Sequence, residues 1–183
     1  KCTALKIKFS FAARVAKTHF LRMINKRKND DFQKALNYAG KILSKRMHSC
    51  VELRIKLSKK FTPETVNRAI NELSRLSFLD DSKFAQAYAD ELKSKGFGKN
   101  LIHAKLRKRG LDPEVISQSF AIDDIEEKRI AREFILAKLH KFKREPDARK
   151  KKMKILRILL NRGFSLDIAQ ELAYEILDST KFS

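Results

Sequence analysis

The chain has 183 residues, with 42 Lys+Arg against 22 Asp+Glu and a formal net charge of +20. Hydrophobic residues make up 43%, enough for a folded core, while only 5 Gly and 3 Pro exclude collagen-like and linker-rich chains and disfavour a turn-dense all-β fold. Two cysteines, Cys2 and Cys50, can build neither a disulfide scaffold nor a four-ligand zinc site, and they fit a reducing compartment, the cytoplasm. No apolar run approaches the ~20 residues needed to cross a bilayer.

In chain order, a basic N-terminal extension comes first, over residues 1–30. It holds nine bases (Lys1, Lys6, Lys8, Arg14, Lys17, Arg22, Lys26, Arg27 and Lys28) and no acid before Asp30. Apolar Phe9, Phe11, Val15, Phe20, Leu21 and Ile24 lie among those bases. Two readings stay open, a plain basic extension or the remnant of an organellar transit peptide.

From Phe32 onward the periodicity is helical. Phe32, Ala35, Leu36, Ala39 and Leu43 recur at three- and four-residue steps, as do Val66, Ala69, Ile70, Leu73 and Leu76. Phe84, Ala85, Tyr88 and Leu92 continue the pattern, and so do Ala169, Leu172, Ala173 and Ile176. Ser49 and Glu52 have the spacing of a capping box. Thr62-Pro63-Glu64 and Asp112-Pro113-Glu114 each offer an N-cap, a proline and an acid at a helix start. Further starts are expected at Asp80 or Asp81, at Gly98 and at Ser165. Gly96, Gly110 and Gly163 can end helices in the left-handed conformation.

These signals repeat. Leu106, Arg109-Gly110-Leu111 and Asp112 align with Leu159, Arg162-Gly163-Phe164 and Ser165; Leu57 and Phe61-Thr62 align after one gap, lacking the glycine. Three three-helix units follow, over 33–79, 80–122 and 125–179, the third with a longer hairpin around Pro146. Such periods mark stacked helical modules. The expected fold is all-α, with three tandem three-helix repeats in an elongated, curved stack.

Catalytic constellations are weak. His19, His48, His103 and His140 are scattered, and the pairs Asp80-Asp81 and Asp123-Asp124 suit helix starts better than a metal. No metal, cofactor or catalytic residue is expected. The bases are more informative, because they fall on corresponding helices: Lys56, Lys59 and Lys60; Lys99, Lys105, Arg107, Lys108 and Arg109; Lys151, Lys152, Lys154, Arg157 and Arg162. They form either one surface for a polyanion or acidic protein, or a merely solvated face.

Arg46-x-x-Ser49-x-x-Glu52-Leu53-x-x-Lys56-Leu57 resembles the opening motif of the RecX family of bacterial recombination regulators. Leu79-Asp80-Asp81-x-x-Phe84-Ala85 resembles its most recognisable motif, and Gly98, Leu106, Arg109-Gly110-Leu111 and Arg162-Gly163-Phe164 fall where the family places its later repeat motifs. The resemblance implies tandem three-helix repeats and a modulator that binds the RecA recombinase filament, usually damping ATP hydrolysis and strand exchange; a monomer that is not an enzyme is expected. It also implies contact with single- or double-stranded DNA. Two other readings remain open: a general DNA-binding helical protein, and a metal-dependent nuclease using the paired aspartates.

Overall fold

A computed structural model describes residues 31–138 and 147–179. The basic extension, His19, His140 and the hairpin around Pro146 lie outside the described residues. Among those described, nine helices account for the regular structure: α1 (Asp31–Leu43), α2 (Cys50–Leu57), α3 (Pro63–Arg75), α4 (Asp81–Ser94), α5 (Lys99–Lys108), α6 (Pro113–Ser119), α7 (Asp124–Leu136), α8 (Ala148–Asn161) and α9 (Leu166–Ser179). The fold is all-α, as expected.

The helix starts follow from their caps. Ser49 Oγ accepts the Glu52 N–H at 3.1 Å, and Thr62 Oγ1 accepts the Thr65 N–H at 3.4 Å. Asp112 and Asp123 carboxylates accept from Glu114 N and Glu126 N at 2.8 and 2.7 Å. Ser165 Oγ does the same for Ile168 N at 3.3 Å. Each cap satisfies an N–H that the helix itself leaves unpaired. Asp80 immediately precedes α4, and Asp81 lies in its first turn.

The helices pack in threes. Within each set the first helix packs on the third, and the second packs on both: α1–α3, α4–α6 and α7–α9. Leu57, Leu106 and Leu159 lie in the last turn of α2, α5 and α8, all fully buried. Burying such a side chain stabilises by roughly 1.5–3 kcal/mol, so the second helix is held mainly by this leucine and its neighbours.

The turn after that leucine has two forms. Gly110 (φ 79°) and Gly163 (φ 83°) are left-handed. In both turns the glycine N–H reaches back three residues, while Leu111 and Phe164 donate to Leu106 and Leu159 at 3.4 and 3.2 Å. The first module lacks the glycine and instead closes with a Phe61 N–H to Leu57 carbonyl bond at 3.1 Å. The missing residue shortens the turn without moving Phe61 from its place beside the core.

The chain divides after Asp80 into two compact units. The first holds α1–α3 around Ala35, Leu53, Leu57, Leu73 and Leu79. Its buried His48 donates from Nδ1 to the Arg46 carbonyl at 3.0 Å, and burial holds the imidazole below its usual range. The second unit holds α4–α9, and within it the two modules meet backbone to backbone. Gly98 N–H donates to the Arg162 carbonyl at 2.8 Å, and Asn100 N–H to the Gly163 carbonyl at 3.0 Å.

No side chain fits at that seam. A Cβ added to Gly98 would lie 2.6 Å from the Gly163 carbonyl oxygen and 2.5 Å from its carbon. Both are backbone atoms and cannot rotate away. Gly98→Ala is therefore expected to lower the stability of the 81–179 unit by about 1–3 kcal/mol, the usual cost of overpacking. Thermal melting, with amide exchange to locate the loss, checks it; unchanged exchange in α5 and α8 would contradict the close approach.

Candidate functional site

The bases singled out by sequence fall into two groups. Lys59, Lys60, Lys99, Arg107, Lys108, Lys154 and Arg157 are exposed, whereas Lys56, Lys105, Arg109, Lys151, Lys152 and Arg162 are half-buried. Several of them lie on aromatic rings.

One such contact recurs in each module. Lys60, Arg109 and Arg162 each stand three residues beyond the buried leucine of the second helix. Lys60 Nζ lies 4.4 Å from the Tyr38 ring centre, and the Arg109 guanidinium 4.9 Å from that of Tyr88. Arg162 lies 4.5 Å from the Phe134 ring. In every case the ring belongs to the first helix of the same module. The cation sits on the negative face of the ring while its stem covers apolar surface, an arrangement worth about 0.5–1 kcal/mol at exposed sites. Arg109 Nη2 also donates to the Tyr88 hydroxyl at 3.3 Å.

Sequence reasoning missed these rings. Tyr38 is one position off the spacing that aligns Ala39 with Tyr88, so an ungapped comparison hides the pairing. The available signal was an aromatic residue on each first helix matched with a base three residues past each leucine.

The structure joins two of the basic clusters. Phe97, in the turn before α5, carries Lys105 Nζ at 4.9 Å and the Arg162 guanidinium at 4.7 Å. Arg162 also donates to the Lys95 carbonyl at 3.2 Å. The α5 and α8 clusters thus meet at one ring beside the glycine seam. Lys152 lies 3.3 Å from the Tyr174 ring of α9.

Beneath this surface lies Glu127 of α7, only 2% exposed. Its Oε1 accepts the Lys99 N–H at 3.0 Å, and the carboxylate also accepts the Ser165 N–H. It therefore lies between the N-termini of α5 and α9, where two partially positive helix ends converge. Burial raises the carboxyl above its usual value of 4.5, and those N–H groups and the Lys99 charge partly offset that. Nearby, Lys93 of α4 pairs with Glu126 of α7 at 3.3 Å. The seam, the buried carboxylate and this ion pair bind the second module to the third.

The acidic pairs have structural places. Asp80 and Asp81 open α4, while Asp123 caps α7 and Asp124 follows it. Among the described residues, no three His, Cys, Asp or Glu side chains are grouped to hold a metal. His103 stacks edge-on against Phe120 at 5.3 Å, and Cys50, at the first position of α2, is half-buried. Also among the described residues, no helix is long and apolar enough to cross a membrane.

The fold and surface together define an all-α protein of three-helix modules that presents bases on corresponding helices. Residues 35–73 match the first three-helix domain of RecX, and residues 80–119 match the second. The regulatory protein RecX of Chlorobaculum tepidum is 32% identical over 139 residues, covering 75% of this chain and 84% of that one. RecX of Mannheimia succiniciproducens is 30% identical over 132 residues, covering 71% and 86%. The crystal structure of RecX from Lactobacillus salivarius superimposes with a TM-score of 0.72 at 27% identity, over 81% of this chain and 97% of that one. The chain belongs to the RecX family of regulatory proteins.

Glu127 gives a pH-dependent prediction. The folded carboxyl holds its proton more tightly than the unfolded chain does. Its contribution is therefore fully present below the unfolded value of 4.5 and is lost as pH rises through the raised native value. Glu127→Gln keeps an acceptor and removes the buried charge, so it should flatten that decline and leave stability at neutral pH unchanged or higher. Glu127→Ala strands both N–H groups and should cost about 1–3 kcal/mol. Thermal melts from about pH 4 to pH 8 distinguish the two.

Proposed function

We propose that the protein binds a RecA-type recombinase filament and lowers its ATP hydrolysis and strand exchange during DNA recombination and repair. The observation that carries this reading is membership in a family of regulatory proteins, combined with bases on the second helix of every module. On this reading it acts in the cytoplasm as a monomer and as a regulator rather than an enzyme. Its modules are 33–79, 80–122 and 125–179.

The bases divide by role. Lys60, Arg109 and Arg162 each clasp a ring on the first helix of their own module, so they contribute first to shape. The exposed Lys99, Arg107, Lys108, Lys154 and Arg157 would meet acidic recombinase side chains or DNA phosphate, with Lys56, Lys59, Lys105, Lys151 and Lys152 adding to the local potential. Spread over several modules, such contacts act at high effective concentration even though each is weak.

The test is recombinase ATPase on single-stranded DNA, titrated with the wild type and two triple variants. One changes Lys99, Arg107 and Lys108 to Gln, and the other changes Lys151, Lys154 and Arg157. Single changes should shift half-inhibition by less than about fivefold, because an exposed pair is worth ~0–1 kcal/mol. Each triple variant should shift it by roughly tenfold or more, and added salt should mimic the loss. Full inhibition by both folded triple variants would refute docking through these bases. DNA binding without any effect on ATPase would favour the general DNA-binding reading.

A further inference from the structure

Helix α8 has two apolar faces. Ile155 and Leu159 are fully buried against the core. On the opposite side Met153 is 60% exposed and Leu160 43% exposed, with half-buried Leu156 between them. A helix with one face in the core is ordinarily polar on the other. Here the outer face carries a ridge at i, i+3 and i+7, the spacing with which helices engage one another. Leu166, 52% exposed at the start of α9, borders the same open groove of about 1000 Å³.

The walls of that groove are basic. Arg149, Lys150, Lys154 and Arg157 line it, and the one acid among its lining residues is Asp147. That carboxylate is engaged at the N-terminus of α8, where it accepts the Arg149 and Lys150 N–H groups at 2.8 and 3.2 Å.

We infer that this groove docks an acidic amphipathic helix of a partner protein, with leucine-type side chains on the ridge and carboxylates against the basic walls. Charge complementarity selects the occupant. A second copy would bring the same bases face to face, and residues 1–29 are themselves basic. Phosphate would pair with the walls but would gain nothing from Met153 or Leu160 and would leave that apolar surface in water. The inference rests on the groove alone and does not depend on the recombinase reading.

The test uses the full chain without recombinase. The probe is a fluorescent synthetic helical peptide with leucines at i, i+3 and i+7 flanked by glutamates, read by anisotropy. A scrambled peptide of the same composition, polyglutamate and a single-stranded oligonucleotide serve as competitors. The amphipathic peptide should bind roughly tenfold or more tightly than either acidic control. Met153→Asp and Leu160→Asp, on exposed positions, should each weaken it by a similar factor with unchanged melting temperature, and Arg157→Gln should weaken it less. Failure of the peptide to bind, or equal binding by scrambled peptide or polyglutamate, would overturn the proposal. So would displacement of the peptide by the oligonucleotide, or a wild-type dimer that Met153→Asp dissolves.

Discussion

Two modules of this protein are fastened where two backbones touch. Gly98 donates its N–H to the Arg162 carbonyl, and Asn100 donates to that of Gly163, across a gap that admits no Cβ. Main-chain hydrogen bonds of this sort fix distance and orientation together, because neither partner has a rotamer to change. The other contacts are set by them. Glu127 reaches both helix N-termini, and Arg162 reaches Phe97 and Phe134, because α5 begins where α8 ends. A longer separation would leave a buried carboxylate short of donors, which is far costlier than losing a surface contact.

The basic residues serve two purposes that net charge does not separate. The clasp of Lys60, Arg109 and Arg162 on the rings of Tyr38, Tyr88 and Phe134 ties the C-terminus of each second helix to the first helix of its own module. The same guanidinium and ammonium heads add to the positive potential of the surface. Arg162 and Lys105 share the Phe97 ring, so clusters far apart in sequence contribute to one local field.

Much of the architecture was legible in the sequence because local rules and the global fold agree. Ser49, Thr62, Asp112 and Ser165 mark helix starts through their own side-chain bonds, and the structure places a helix directly after each. Leu57, Leu106 and Leu159 were readable as equivalent because apolar spacing reports burial. What sequence could not provide was the partner of each cation. A lysine three residues beyond a leucine looks the same whether it points into solvent or onto a tyrosine, since the ring comes from another helix. Glu127 was hidden for a related reason. In an acid-rich first turn it resembles a dipole partner of its own helix, whereas its donors belong to α5 and α9. The glycine seam was half visible: Gly163 announced a left-handed turn, but nothing local showed that Gly98 meets it.

Exposed apolar ridges carry a hazard, because a stripe such as Met153 and Leu160 can adhere to its own copy as readily as to a partner. On α8 the bases along the ridge supply the countermeasure. Two copies approaching through this face bring like charges together before their side chains touch, and the repulsion acts over about one Debye length, ~8 Å at physiological salt. The chain can therefore keep a sticky surface uncovered in dilute solution. High ionic strength would remove that protection, and crowding of the purified protein in strong salt would turn a recognition face into a site of self-adhesion.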